Sequence, residues 1–399
     1  MRSILPYIIT LVFLCISCSN SKNVTQIEIS ETAGYDRVLE YVNASVSVER
    51  ELAVEESILL TNVEDGTSIL AANINSNLEM YQHKYDIIFP VKIGANQTNT
   101  YNVSIVNGEK SKTLKSKTIL SEDNLTIDNL SYKATFSTED DKRGGQVNGI
   151  VLKDFNKQLL RRGHIAMHWA PNFSKTSSQY YFNLEDLQAG SKNEIKNDIY
   201  SVVKERAGVT DSVPEIRIEG RYEFYADLPY FLFESTMTVE KEVELNLLRN
   251  DEMTMDSLFT HLTYTKKDGS IESLNLYSDE LDKLEVNHVT DDANWLAFYN
   301  LDKGYGFASI RLQYDNTNMD GETSPIHNPY TKITRSSNNG RYWNRVLSDT
   351  IQKFPVGSRY YERNAYLVFN VDSTSPEKEI VYYYNCLKNP LKVQVKAGL

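Results

Sequence analysis

Residues 215–225 read Glu215-Ile216-Arg217-Ile218-Glu219-Gly220-Arg221-Tyr222-Glu223-Phe224-Tyr225. Arg217, Glu219, Arg221, Glu223 and Tyr225 occupy one parity, and Ile216, Ile218, Gly220, Tyr222 and Phe224 the other. A period of two is the signature of a strand with one face toward a core and one toward water. Alternating Arg and Glu on the polar face predicts weak ion pairs on a solvated sheet, and on a concave sheet the same face suits an acidic sugar. Working outward, strand-like runs recur at 231–239, 307–314 and 366–371. Upstream, shorter runs at 44–48, 57–60, 85–91 and 101–105 are separated by turn clusters such as Glu64-Asp65-Gly66 and Gly94-Ala95-Asn96. One helical stretch is predicted, over 191–204. Strands that recur between turn signals with few helices define an all-β class, a large antiparallel β-sandwich preceded by a small β domain. The boundaries expected are 1–18 for a leader, 19–35 for a polar tether, 36–129 for the small domain with a lysine-bearing connector, and 130–399 for the sandwich.

The N-terminus carries Arg2 and then a nearly unbroken apolar run over 4–16. That is shorter than the about 20 residues a membrane span needs, and it matches the apolar region of a signal peptide. The run ends in Leu14-Cys15-Ile16-Ser17-Cys18, which resembles a bacterial lipobox with Cys15 where Leu is usual. The resemblance implies lipidation of Cys18, anchorage to the outer membrane and a place in the cell envelope. Of the three cysteines only Cys386 lies beyond this segment, so the mature chain forms no internal disulfide. Cys386 follows Tyr382-Tyr383-Tyr384 in a strand-like run and is expected to be a buried structural thiol. The net charge of −12 opposes nucleic acid as a partner.

The segment Arg161-Arg162-Gly163-His164-Ile165-Ala166-Met167-His168-Trp169 holds two of the six histidines. Its alternation predicts a strand with His164 and His168 on one face, about 13 Å apart, too far to share one metal ion. Either one histidine is an acid or base in a groove, beside Arg161 and Arg162, or both are hydrogen-bonded structural residues. Farther on, Gly340-Arg341-Tyr342-Trp343-Asn344-Arg345 and Gly357-Ser358-Arg359-Tyr360-Tyr361-Glu362-Arg363 interleave rings with guanidinium groups. Rings stack on a pyranose and guanidinium forks pair with carboxylate or sulfate, so Tyr342, Trp343, Arg345, Arg359, Tyr361 and Arg363 are candidate contacts to an anionic glycan. The alternative is core rings with exposed arginines.

The run Lys142-Arg143-Gly144-Gly145-Gln146-Val147-Asn148-Gly149-Ile150-Val151-Leu152, followed by Leu159-Leu160, resembles the opening of galactose-mutarotase-like supersandwich domains. Glu219-Gly220, Arg249-Asn250-Asp251-Glu252 and Lys303-Gly304-Tyr305-Gly306-Phe307-Ala308 extend the resemblance over about 130–395. It implies a β-supersandwich and carbohydrate chemistry by analogy, and no catalytic position of that family maps onto this chain. No nucleophile elbow, phosphate loop, HExxH or dinucleotide fingerprint occurs in the sequence. The expectation that follows is a polysaccharide lyase acting on a uronic-acid glycan without a cofactor or metal. It would use His164 or His168 as base, Tyr360 as acid and Arg221 to neutralise the sugar carboxylate. The alternatives are a non-catalytic glycan-binding lipoprotein and a glycoside hydrolase using two carboxylates.

Overall fold

A computed structural model describes residues 25–79, 82–107, 119–138, 146–159, 171–178, 180–255, 258–335 and 339–396. The chain is all-β. A nine-stranded antiparallel sheet runs, in spatial order, Lys192–Asn197, Ser201–Thr210, Val213–Tyr225, Tyr230–Val239, Arg359–Asn370, Tyr305–Asp315, Trp295–Asn300, His261–Thr265 and Ile271–Asn275. The alternation in Val213–Tyr225 holds: Ile216, Ile218, Tyr222 and Phe224 are fully buried. Gly220 shares their face because a Cβ there would meet Leu184 Cδ1 at 2.3 Å.

The inner face of this sheet packs on two others. A four-stranded sheet contains Val147–Leu152 and Tyr132–Phe136, and a six-stranded sheet contains Asn172–Lys175, Val243–Met255, Arg341–Ser348 and Tyr330–Arg335. Phe231, Phe298, Phe307, Leu248, Met253, Leu347, Ile150 and Tyr132 belong to one continuous apolar core between the three. A charged cluster lies within that core. The strand Val243–Met255 bulges between Asn250 and Met253, and Asp251 takes φ +46°. Its buried carboxylate accepts from Trp343 Nε1 (3.3 Å) on its own sheet. From the facing sheet it accepts Ser309 Oγ (2.9 Å), Tyr366 OH (3.0 Å) and Arg311 Nε (2.8 Å). Beside it Arg345 pairs with Asp291 at 3.1 Å and Glu362 at 3.7 Å.

Residues 25–107 form a smaller sandwich. A five-stranded sheet includes Gln26–Ser30, Thr98–Asn107 and Glu56–Asn62, and a three-stranded sheet includes Arg37–Val48 and Gln82–Ile93. The stretch expected as a tether therefore contains a strand, whose Ile27 and Ile29 are fully buried. Five residues are too few for their alternation to stand out in sequence. The last strand, Lys392–Lys396, returns to pair with Gln26–Ser30. Arg37 fixes the junction: it binds Glu31 at 3.0 Å and donates to the carbonyls of Cys386 (3.0 Å) and Asn389 (2.6 Å) at the end of the helix Lys378–Lys388. Burial would raise the Glu31 carboxyl. Hydrogen bonds from the Asn96 N–H, Arg37 and the Ala33 and Gly34 N–H groups outweigh it and lower the pKa to about 2.

Two local expectations are corrected. Residues 191–204 are not helical but two strands of a hairpin, whose turn is closed by Asp198 accepting from the N–H groups of Tyr200 and Ser201. Cys386 is buried as expected, but in a helix rather than a strand. Ile380, Tyr383, Tyr384 and Leu387 recur at helical spacing and pack that helix on the outer face of the nine-stranded sheet.

Asp251→Asn should test the link between the sheets. Asn tolerates the positive φ but leaves Arg311 buried without its counter-charge, at a cost of roughly 3–5 kcal/mol. Urea unfolding measures it; a loss below about 1 kcal/mol would mean that the pair contributes little to the native state.

Candidate functional site

The outer face of the nine-stranded sheet divides in two. At one end Tyr225, Tyr230, Leu232, Ala365 and Leu367 form an apolar patch, covered by the helix Lys378–Lys388 and by the small sandwich. Tyr41 stacks on Tyr225 with centroids 5.4 Å apart, and Tyr200 OH donates to the Leu70 carbonyl at 2.6 Å. Along the same strands, on the same parity, the face turns polar and is uncovered. Register aligns Glu205, Arg221, Glu234 and Arg363 in one row, and Ala207, Glu219, Thr236 and Tyr361 in the next. Both rows except Arg363, with Lys192 and Arg217, line a groove of about 310 Å³. That volume lies at the low end of the ~300–1,000 Å³ typical of small-molecule sites.

Charges in the groove are paired. Arg221 Nη1 donates to Glu223 at 2.7 Å and lies 3.7 Å from Glu234, while its Nε lies 3.7 Å from Glu205. Arg363 lies 3.2 Å from Glu234, Arg217 donates to Glu219 at 2.9 Å, and Lys192 donates to Glu205 at 2.6 Å. The Lys192 hydrogen bond holds the Glu205 carboxyl below its usual range, so at neutral pH it is an acceptor and not a proton donor. For Arg221, burial would discharge the guanidinium, and Glu223 and Glu234 more than compensate. Arg359 shares this face, its guanidinium 5.6 Å from the Tyr361 ring centroid.

Four residues expected at a site therefore meet on one face: Arg221, Arg359, Tyr361 and Arg363. Others do not. Tyr360 points the opposite way from Tyr361, is buried, and donates to the Pro325 carbonyl at 2.6 Å. Burial raises its phenol well above the usual range, so it is not the acid of this groove. Trp343 and Arg345 lie in the core beside Asp251 and Glu362, on the inner face of the six-stranded sheet. Tyr342 alternates with them and faces the outer side of that sheet. Arg161, Arg162, His164, His168 and Cys18 lie outside the described residues. Sequence reading missed Glu205, Glu234 and Lys192. The two glutamates and Arg221 are placed together only by cross-strand register, to which single-strand periodicity is blind.

No family model matches the chain, and no curated protein matches it. Among solved structures it is similar to an α-mannosidase from Enterococcus faecalis, with TM-score 0.56 and 9 % identity over 95 % of this chain and 46 % of that one. It is also similar to a protein in glycosyl hydrolase family 38 from Enterococcus faecalis, with TM-score 0.51 and 9 % identity over 95 % of this chain and 48 % of that one. A galactose mutarotase-like protein from Lactobacillus casei aligns at TM-score 0.37 and 11 % identity over 61 % of this chain and 99 % of that one. What the two Enterococcus structures share with this chain is the fold. The chain spans less than half of either of them.

Position should decide what each arginine contributes. Arg221→Ala removes partly exposed pairs and should change unfolding free energy by no more than ~1 kcal/mol. Arg345→Ala strands Glu362 in the core and should cost roughly 3–5 kcal/mol. Chemical denaturation of both variants would show the contrast; equal losses would contradict this assignment of faces.

Proposed function

We propose that the protein binds a glycan in the polar groove of the nine-stranded sheet. The observation that carries this reading is the side-by-side placement of Tyr361, Arg221 and Glu234 on an uncovered sheet face. A half-buried phenol ring offers a stacking surface for the C–H face of a pyranose. Adjacent guanidinium donors and carboxylate acceptors match the paired donor and acceptor capacity of vicinal hydroxyls. The similar fold of an α-mannosidase supports a carbohydrate role by analogy, and the supersandwich reading of residues 130–395 rests on the same analogy.

The charge balance favours a neutral glycan over an acidic one. Each of Arg217, Arg221 and Arg363 has a carboxylate within 3.7 Å. A uronic-acid carboxylate entering beside Arg221 would meet Glu205, Glu223 and Glu234, and like charges at that range repel. The lyase reading needs an unpaired guanidinium and a base. Its histidines lie outside the described residues, and among the described residues the groove supplies neither. The hydrolase reading keeps one supporting observation, that Glu223 and Glu234 flank Arg221. We further propose that Cys18 is lipidated and holds the protein in the cell envelope; Cys18→Ala should then move it from the membrane fraction to the soluble one, and retention there would refute the anchor.

Affinity electrophoresis in neutral mannan and in polygalacturonate tests the binding proposal. Retardation is expected in mannan. Arg221→Ala and Tyr361→Ala should each weaken it by roughly tenfold, the loss of one charge-assisted hydrogen bond or one stacked ring. Retardation in polygalacturonate alone, or retardation in mannan indifferent to both substitutions, would overturn it.

A further inference from the structure

A second cavity lies toward the opposite edge of the nine-stranded sheet from the groove. That sheet ends in the hairpin His261–Thr265 and Ile271–Asn275, and the six-stranded sheet ends in the short strand Val289–Thr290. The helix Asp279–Val286 lies between them in sequence and packs against both sheets. Residues of the hairpin, the helix end and the short strand together line a cavity of about 590 Å³, against about 310 Å³ for the groove. That is well within the ~300–1,000 Å³ of small-molecule sites.

The floor of this cavity is apolar. Tyr264 and Val289 belong to the main core, and Leu284 packs against it half-buried. One wall is the His288 ring, which is held twice. It stacks on Tyr330 with centroids 4.0 Å apart and planes 13° apart, and its Nδ1 donates to the Leu284 carbonyl at 3.1 Å. A carbonyl oxygen only accepts, so the proton sits on Nδ1 and the Nε2 of the neutral ring is an acceptor. The other ring face and the Nε2 edge are what His288 has left for the cavity. The helix is tied to the strand Tyr330–Arg335 by Thr334 Oγ1, which donates to Glu285 at 2.5 Å, and by Arg335, which pairs with Asp282 at 2.5 Å. A fixed recess with an apolar floor and few polar groups has the form of a small-molecule site.

Charges around the cavity are matched. Lys266 contacts Glu272, which also accepts from Tyr264 OH at 2.5 Å. Lys266 first, and then Tyr264, hold the Glu272 carboxyl below its usual range. Asp268 is occupied in its own turn, accepting from the Ser270 N–H at 2.9 Å and Oγ at 2.6 Å, and Lys267 lies 3.7 Å from Asp292. An anion entering here meets Asp268, Asp292 and the carbonyl end of the helix, and a cation meets Lys266 and Lys267. An uncharged ligand meets neither repulsion.

We propose that this cavity binds an uncharged planar aromatic molecule bearing a hydroxyl group. Its ring lies on Leu284 and Val289 against the open face of His288, and its hydroxyl donates to His288 Nε2. The exposed Asn287 and Thr290 stand at the mouth. A sugar fits less well, because an apolar floor leaves most of its hydroxyls without partners.

Equilibrium dialysis of the full chain against 2-naphthol, 2-methylnaphthalene and 2-naphthoate tests the proposal. One equivalent of 2-naphthol should be retained, with an affinity roughly tenfold above that of either other probe. Thr290→Trp, at an exposed position on the mouth, should abolish retention and leave the thermal midpoint unchanged. His288→Phe keeps the stack on Tyr330 but has no ring nitrogen, and should lower 2-naphthol to the affinity of 2-methylnaphthalene without changing the latter. Arg221→Ala, in the groove, should change nothing. The proposal is overturned if no 2-naphthol is retained at its solubility limit, or if 2-naphthoate or 2-methylnaphthalene binds as tightly. Retention that survives Thr290→Trp, or that is lost in Arg221→Ala, also overturns it, since the probe then sits elsewhere. These outcomes are read without His288→Phe, so they hold even where that variant fails to fold.

Discussion

The carboxylate of Asp251 is the point at which the two main sheets are tied together. Apolar packing holds the layers against each other but is non-directional and leaves their register soft. A fully buried charge that takes a guanidinium and a hydroxyl from one strand, a phenol from the next and an indole N–H from a third fixes position as well as contact. Removing one partner leaves another buried and uncompensated, so the arrangement is all or none. The bulge that delivers Asp251 inward also turns Glu252 outward to Arg249.

With the layers fixed, parity decides what each strand shows to solvent. On the nine-stranded sheet one set of alternate residues is apolar where the helix Lys378–Lys388 and the small sandwich cover it, and charged where they do not. The groove is thus the uncovered remainder of a face whose other part is an internal interface. Tyr41, Tyr200 and Tyr225 mark the boundary on one side, and Tyr361 is the ring on the other. Tyrosine serves both ends of this face: as packing where it is covered, and as a half-buried ring where it is open.

The period-two reading of 215–225 was enough to place Arg217, Glu219, Arg221 and Glu223 on a polar face, because a strand with one side on a core must alternate. Reading Tyr360, Tyr361 and the flanking arginines as one block failed for the same reason: neighbours in a strand point to opposite faces, so Tyr361 reaches the groove and Tyr360 the core. Trp343 and Arg345 went inward because Asp251 and Glu362 give their polar atoms partners, a compensation invisible without register. The helix Lys378–Lys388 was read as a strand since tyrosines favour both settings, although its 380, 383, 384, 387 spacing is helical.

The account stands on the polar half of one sheet face being the surface that meets sugar. A crystal structure with a bound neutral manno-oligosaccharide tests this most directly. The account predicts a pyranose ring lying against Tyr361, with its hydroxyls on Arg221 and Glu234 and no displacement of the Asp251 hub. A ring bound on another surface with this groove left empty would contradict it.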